Sequence, residues 1–151
     1  MSKFTSTGCT IGLVASSPAT EDEAGYAALS YVQIGETTNI PQFGPTVAVV
    51  ESNPLESGIV EKFKGFINNG STSVDFDVDP TDAGQILVGD GVTGADKDTR
   101  HSFKIEYSSG DIRYFQGKIF SNSETPGSAN SMVSGTAQIE IETNVLKVAA
   151  P

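Results

Sequence analysis

The segment DPTDAGQILVGDGVTGADKDT, residues 79–99, predicts one short helix in a chain whose other patterns favour β-strands. Asp79 is suited to accept hydrogen bonds from the free N–H groups at a helix start, and Pro80 suits the first helical position. Apolar residues then fall on one face at spacings of three and four: Ala83, Ile86 and Leu87. Gly89 is typical of a helix end. We therefore expect a helix over about residues 80–89, packed by its apolar face on a sheet.

Apolar and polar residues alternate on both sides of this helix, as in strands that are buried on one face. The alternation is clearest in a final strand, residues 133–142, and it also marks residues 73–79. Residues 101–120 predict a hairpin that turns at Ser108–Asp111, with an apolar phase shift in its second arm that indicates either two covered faces or a bulge. An early strand is predicted at Tyr26–Ile34, with weaker candidates at Val47–Glu51 and Ile59–Ile67. The fold class is therefore mainly β, a sandwich or small barrel with one short helix.

The length of 151 residues predicts a single domain, residues 1–151. Residues 36–58 are rich in Pro and Gly and show little periodicity, which predicts a long loop or an extended arm between strands. The single cysteine, Cys9, excludes an intrachain disulfide. The start of the chain is too weakly apolar for a secretory signal, and no stretch approaches the length of a membrane span. We therefore expect synthesis in the cytoplasm and no membrane partner.

The net charge of −10 argues against a protein that grips nucleic acid, because such binding depends on Lys and Arg side chains that displace counterions from phosphate. The nine basic residues are scattered and form no cluster. An acidic surface is compatible with simple solubility, or with DNA that passes nearby without adhering.

Motifs for catalysis or for cofactors fail in their context. Gly89, Gly91 and Gly94 match G-x-G-x-x-G, but they follow the predicted helix, whereas a dinucleotide site needs them between a strand and a helix. Asp75 and Asp77 resemble the start of a calcium loop, yet Pro80 and Ile86 occupy the positions of its turn Gly and bidentate Glu. His101 has no second ligand motif nearby, which favours a structural histidine. The sequence thus predicts no enzyme, no metal site and no cofactor.

Two consecutive stretches resemble the major tail protein, or tail tube protein, of lambda-like long-tailed bacteriophages. They are TSVDFDVDPTDAGQILVGDGV and DTRHSFKIEYSSGDIRYFQGKIFSNSETPGSANSMVSGTAQIEIE. The shared order is a strand, a helix that starts with a Pro-x-acidic-x-Gly-Gln pattern, a hairpin that ends in aromatic-x-Gly, a polar loop and a long final strand. The resemblance covers about residues 71–145, with a looser match from Tyr26 onward.

The resemblance implies a structural virion protein of the phage tail, made in the host cytoplasm. Members of the family form hexameric rings that stack into a tube, and strands from all subunits close an inner β-barrel through which DNA passes from capsid to host. The implied partners are other copies of the chain, the tape measure, tail tip and tail terminator proteins, and double-stranded DNA that passes without specific binding. An acidic bore suits such passage, because it repels phosphate.

The resemblance also assigns roles to particular residues. Candidate residues facing the lumen lie on the polar face of the final strand: Gln138, Glu140 and Glu142. The long loop is implied to contact the next ring, through Asn39, Pro41, Gln42, Phe43, Pro45 and Asn53. The N-terminal arm, residues 1–19, is implied to be flexible and to become ordered on assembly.

Two rival interpretations come from other classes. An acidic β-sandwich that presents its loops, such as a virion decoration or adhesion domain, predicts a monomer or a small closed oligomer. A small enzyme with a barrel pocket is disfavoured by the missing catalytic groups. Within the tail-tube interpretation, a long flexible tail and a contractile tail stay open.

Overall fold

The computed structural model describes residues 3–150, and mainly β-structure fills them. The strands are β1 Thr10–Val14, β2 Val32–Gln33, β3 Thr37–Asn39, β4 Thr46–Ser52, β5 Glu61–Asn68, β6 Ser71–Asp77, β7 His101–Glu106, β8 Ile112–Thr125, β9 Ser134–Ile141 and β10 Leu146–Val148. The helices are α1 Glu23–Ala27 and α2 Ala83–Thr93.

Eight strands form one curled sheet in the order β2-β1-β7-β8-β9-β6-β3, with β10 paired to β8 beyond the end of β9. All of its pairings are antiparallel. The 14-residue β8 joins the two halves of the sheet, because β7 pairs with its residues 112–117 and β9 pairs with its residues 117–125. Strands β4 and β5 form a separate two-stranded sheet.

The core lies on one face of the sheet, where α2 packs against β8. Alternation produces it: along β9, buried Gly135, Ala137, Ile139 and Ile141 alternate with more exposed polar residues. Phe103 and Phe115 stack at its centre with ring centroids 5.2 Å apart, and both are fully buried. The prediction of a mainly β fold with a helix on the sheet is therefore confirmed.

The main helix exists but is displaced from the predicted residues 80–89. It starts at Ala83 because the Asp82 carboxylate accepts hydrogen bonds from the Gln85 backbone N–H at 3.0 Å and, across the fold, from the Gly35 N–H at 3.0 Å. Asp79 instead caps the preceding turn through Thr81. The predicted cap residue was therefore wrong by one turn.

The glycines near the predicted helix end do not stop the helix, which continues to Thr93. Gly91 is buried, and a Cβ added there would lie 3.0 Å from the Ile119 side chain and 3.1 Å from the His101 ring. Its role is close packing of the helix on the sheet, a tertiary requirement that overrides the local preference for a stop.

The predicted strand at Tyr26–Ile34 is wrong over most of its length. Asp22 caps a short helix, α1, because its carboxylate accepts a hydrogen bond from the Gly25 N–H at 2.8 Å. Only Val32–Gln33 of the predicted range is strand. Tyr26 projects from α1 and stacks on Tyr114 with ring centroids 5.1 Å apart. Its ring therefore packs on the face of the sheet opposite the core.

The predicted flexible arm, residues 1–19, contains β1, which lies between β2 and β7 in the sheet. Ile11 and Leu13 are fully buried in the core. Thr10–Val14 are therefore a strand of the subunit's own core, residues 1 and 2 lie outside the described residues, and ordering of the arm on assembly stays a prediction.

The hairpin predicted over residues 101–120 is present as β7 and β8, with its turn between Tyr107 and Asp111. The phase shift in its second arm reflects two covered faces, since Tyr114 packs under Tyr26 while Phe115 packs in the core. A bulge also occurs, farther along, between Ile119 and Ser121.

Candidate assembly surfaces

The sequence motifs considered for catalysis and metal binding occupy the following positions in the fold. Within residues 3–150, no three His, Cys, Asp or Glu side chains are placed to hold a metal ion. The G-x-G-x-x-G glycines lie in the last turns and C-cap of α2, away from any strand-to-helix turn. No helix in the described part of the chain is long and apolar enough to span a membrane.

His101 is fully buried at the start of β7. Its Nδ1 lies 3.0 Å from the Thr99 carbonyl oxygen and donates to it, which leaves Nε2 as a buried acceptor with no partner. Burial lowers the pKa of His101, an effect opposed by the Thr99 carbonyl and by Asp96. The side chain is therefore a neutral core histidine beneath α2.

The most distinctive surface is the projecting hairpin, residues 46–68, formed by β4, β5 and their connecting loop. Directly paired residues share a face, as with Val47 and Ile67 or Val50 and Phe63. Large apolar side chains are exposed on both faces and at the tip: Val47, Val49, Val50, Leu55, Ile59, Val60, Phe63, Phe66 and Ile67. Phe66 is 91% exposed and Leu55 completely exposed.

This exposure is abnormal for a subunit that works alone. A two-stranded hairpin is marginally stable in water, and a contiguous exposed apolar surface typically marks a contact site. The hairpin joins the rest of the chain through Gly44 and Gly70, both with positive φ (144° and 83°), and a Cβ at Gly70 would lie 2.7 Å from the Gly44 carbonyl oxygen. Only glycine suits this narrow base.

The predicted loop, residues 36–58, is therefore not one loop. It divides into a docked segment, residues 36–44, and the first arm of the projecting hairpin. In the docked segment the Asn39 amide donates to the Asp75 carboxylate at 3.2 Å, and the Pro41 carbonyl accepts from the Thr72 hydroxyl at 3.2 Å. The rings of Phe43 and Phe115 pack with their centroids 6.1 Å apart. The alternative of an extended arm is the correct one for residues 46–52.

Of the six residues predicted to contact the next ring, Asn39, Pro41 and Phe43 are tied to the sheet, and Gln42 is exposed beside them. Pro45 lies at the hairpin base and Asn53 at its tip. The sequence analysis missed Phe63, Phe66 and the valines of β4. Their signal, apolar residues on both faces of two weak strands, is present but was assigned no role.

The outer face of the curled sheet, opposite the core, carries the predicted lumen residues Gln138 and Glu140. The register places Gln138 beside Ser73 and Ser121, and Glu140 beside Ser71 and Lys118. Farther along the same face, Asp75 lies opposite Thr136, whose hydroxyl donates to it at 2.8 Å. This part of the face is thus polar, and its charged residues are Asp75, Glu140 and Lys118.

Glu142 differs from the other two candidates. Its carboxylate accepts two hydrogen bonds from Arg100, at 2.7 and 3.0 Å, and lies 3.9 Å from the Lys118 ammonium. Two neighbouring cations offset its charge. Glu142 is therefore part of an ion-pair cluster at the end of β9, whereas Gln138 and Glu140 have no such partner among the ion pairs of the described residues.

A second feature suited to self-association is the open edge of β8. Beyond Gly117, β9 covers one side of β8, and no strand of the described residues covers the other. An unpaired edge of this kind exposes backbone N–H and C=O groups that can pair with a strand of another chain. Phe120, 61% exposed, lies on this edge.

A groove of about 770 Å³ opens where the sheet curls, between the N-terminal segment, residues 6–9, and the docked segment, residues 37–43. Its floor contains apolar side chains, including Ile40, Phe43 and Ile105. Its charged lining residues are Arg113 and Lys147, and no Asp or Glu contributes to the lining.

The chain matches known proteins in its fold and not in its sequence. No protein-family model matches the chain, and no curated protein is significantly similar to it. Solved structures do match. One is a chain in the tail of an empty gene transfer agent particle, determined with C6 symmetry. It superimposes with a TM-score of 0.68 at 14% identity, and the match covers 97% of this chain and 100% of that one. This chain has the tail-tube fold.

The tail-tube fold is also found in two further structures similar to this chain. A chain in the sheath/tube terminator structure of an extracellular contractile injection system gives a TM-score of 0.67 at 10% identity, with 99% of both chains covered. The SPP1 tail tube gives 0.61 at 14% identity, covering 92% of this chain and 75% of that one. The resemblance to tail tube proteins is therefore confirmed at the level of the fold.

Proposed function

We propose that this chain is the subunit of a tail tube, in which copies form closed rings and the rings stack into a hollow conduit for DNA. Three observations support the proposal together: the tail-tube fold, the open edge of β8 and the projecting hairpin. The hairpin carries the argument, because its exposed apolar side chains require a cover that the described residues do not provide.

Within a ring, the open β8 edge would pair with a strand of the neighbouring copy and extend the curled sheet into a shared barrel, which removes unpaired edges. Sixfold rings are the proposed symmetry, supported by the C6 symmetry of the gene transfer agent tail. Between rings, the projecting hairpin would contact the next ring.

The outer face of the sheet is the proposed lining of the bore, with Gln138 and Glu140 toward the lumen. Carboxylates there would repel phosphate, so that double-stranded DNA passes without specific binding. The role is structural and non-enzymatic, in a virion tail, with tape measure, tail tip and tail terminator proteins as further proposed partners.

Removal of the projecting hairpin tests the assembly role. Residues 47–67 are replaced by Gly-Ser-Gly, which joins the paired ends Thr46 and Asn68. We expect a folded monomer or ring that forms no tubes under conditions where the wild-type chain does, seen by negative-stain electron microscopy. Tubes of normal length from this variant, or only monomers and small closed oligomers from the wild type, would contradict the proposal.

The bore is tested by charge reversal that leaves the Glu142 cluster intact. Gln138→Lys with Glu140→Lys should permit tube assembly but slow DNA release from particles, because a cationic bore attracts phosphate. Thr93→Lys with Asp98→Lys, at exposed positions at the end of α2 and in the loop after it, adds the same positive charge and is the matched control. Unchanged DNA release would place these residues outside the bore.

A further inference from the structure

We propose that the tip of the projecting hairpin, residues 53–60, docks into the groove between residues 6–9 and 37–43 of a second copy of this chain. The inference rests on the proposed tube function and names the surface that receives the hairpin. It follows from charge, from apolar matching and from the position of the groove relative to the hairpin.

Charge complementarity is the first argument. The tip, residues 53–60, carries one carboxylate, Glu56, and no basic residue, with Glu51 before it and Glu61 and Lys62 after it. The groove lining carries Arg113 and Lys147 and no carboxylate, in a chain with 19 acidic and nine basic residues. An acidic tip and a cationic groove attract each other, whereas most other surfaces of so acidic a chain would repel the tip.

Apolar matching is the second argument. Leu55 at the tip is completely exposed and Ile59 is 68% exposed. The groove offers a floor of apolar side chains, and its volume of about 770 Å³ is within the range of sites that enclose several side chains. Insertion would bury these tip residues together with the apolar floor.

The position of the groove excludes the hairpin of the same chain. The docked segment lines the groove and leads directly into the hairpin base. The seven residues of β4 then carry the tip roughly 23 Å away. The occupant is therefore another copy, and the contact joins two different surfaces. A head-to-tail contact of this kind repeats without closing when its rotation does not form a ring, as stacking of rings requires.

Cys9, the only cysteine of the chain, lines the groove and reports on its occupant. Tubes of the Leu55→Cys variant are oxidised and run on a non-reducing gel. They should give a ladder of disulfide-linked multimers, because the introduced thiol reaches Cys9 of a second copy. Adding Cys9→Ser should abolish the ladder, and Asp98→Cys, away from the tip, should not produce one. Absence of the ladder with both Leu55→Cys and Ser57→Cys in assembled tubes would overturn the inference.

Charge reversal gives an independent test that needs no disulfide. Lys147→Glu and Glu56→Lys should each raise the protein concentration required for tubes by about tenfold or more, and the double variant should recover most of the loss. Lys97→Glu, with the same charge change as Lys147→Glu, is the control. If wild-type tubes form and Lys147→Glu tubes form equally well, the groove is wrong while the tube function stands. If the wild type forms no tubes, the proposed function itself fails.

Discussion

Phe103 and Phe66 are the same residue type in two strands of one chain, yet Phe103 is completely buried and Phe66 is 91% exposed. The curled sheet with α2 encloses its own core, so its apolar side chains contribute to folding of the single subunit. The projecting hairpin encloses nothing, and its apolar side chains contribute free energy only when another copy covers them. The comparison separates residues that build the subunit from residues that build an assembly.

The largest effect on folding is expected in the body of the subunit. Phe103→Ala removes a ring stacked on Phe115 at the centre of the core and should lower the free energy of unfolding by about 3–5 kcal/mol. Phe66→Ala, the matched change in the hairpin, should stay within about 0.5 kcal/mol. Urea unfolding measures the free energy of unfolding of both variants. An equal loss in the two would show that the hairpin ring stabilises the free subunit as much as the core ring does.

A second test concerns the polar link between α2 and the strands beside it. The buried Gln85 amide donates to the carbonyls of Gly35 and Asp77, both at 3.0 Å, and its oxygen accepts from the Asp79 N–H at 2.9 Å. Gln85→Leu leaves these three backbone groups without partners and should cost about 2–3 kcal/mol of unfolding free energy. Ile86→Gln on the exposed side of the same helix should leave the free energy of unfolding nearly unchanged. An unchanged free energy of unfolding in Gln85→Leu would show that these three hydrogen bonds do not stabilise the fold.

Acid should weaken the body through His101. Because burial lowers its pKa in the folded state, the unfolded chain binds a proton first as the pH falls below about 6.5. The unfolding temperature of the wild type should therefore fall between pH 7 and pH 5.5, before the carboxylates with lowered pKa, Asp22, Asp79 and Asp111, contribute. In His101→Gln the unfolding temperature should depend less steeply on pH over this range. An unchanged pH dependence would show that other groups cause it.

The smallest effect on folding should accompany a large effect on assembly. Phe66→Ser should change the free energy of unfolding by no more than about 0.5 kcal/mol, since the ring is already in water in the free subunit. It should raise the concentration needed for tubes, measured by sedimentation, by about tenfold or more if another copy buries the ring. Normal assembly of this variant would remove Phe66 from the contact surface.

The sequence predicted the elements whose local pattern and tertiary environment agree. Strand β9 alternates cleanly because one of its faces is core and the other is polar. The β7–β8 hairpin was predicted because its turn residues and its alternation coincide. Gln138 and Glu140 share a polar face, as this alternation predicts, and their placement toward the lumen stays a prediction.

The failures occur where distant residues decide the structure. The start of α2 is set at Asp82 because that carboxylate also binds the Gly35 N–H, 47 residues away in sequence. Helix α2 passes through Gly91 because Ile119 and His101 need the space that a side chain would fill. The two arms of the projecting hairpin are only weak strand candidates in the sequence, and the first arm lies within the predicted loop, because apolar residues on both faces remove the period of two that identifies a strand.

The two glycines at the base of the projecting hairpin have a consequence for the mechanics of a tube. Gly44 and Gly70 can change their backbone angles at little cost, so the hairpin can tilt while its own pairing stays intact. In a stack of rings, bending would then concentrate at these joints and leave each ring undistorted. Insertion of one further glycine after Gly44 should give more flexible tubes with a shorter persistence length in electron micrographs, and an unchanged persistence length would locate the compliance elsewhere.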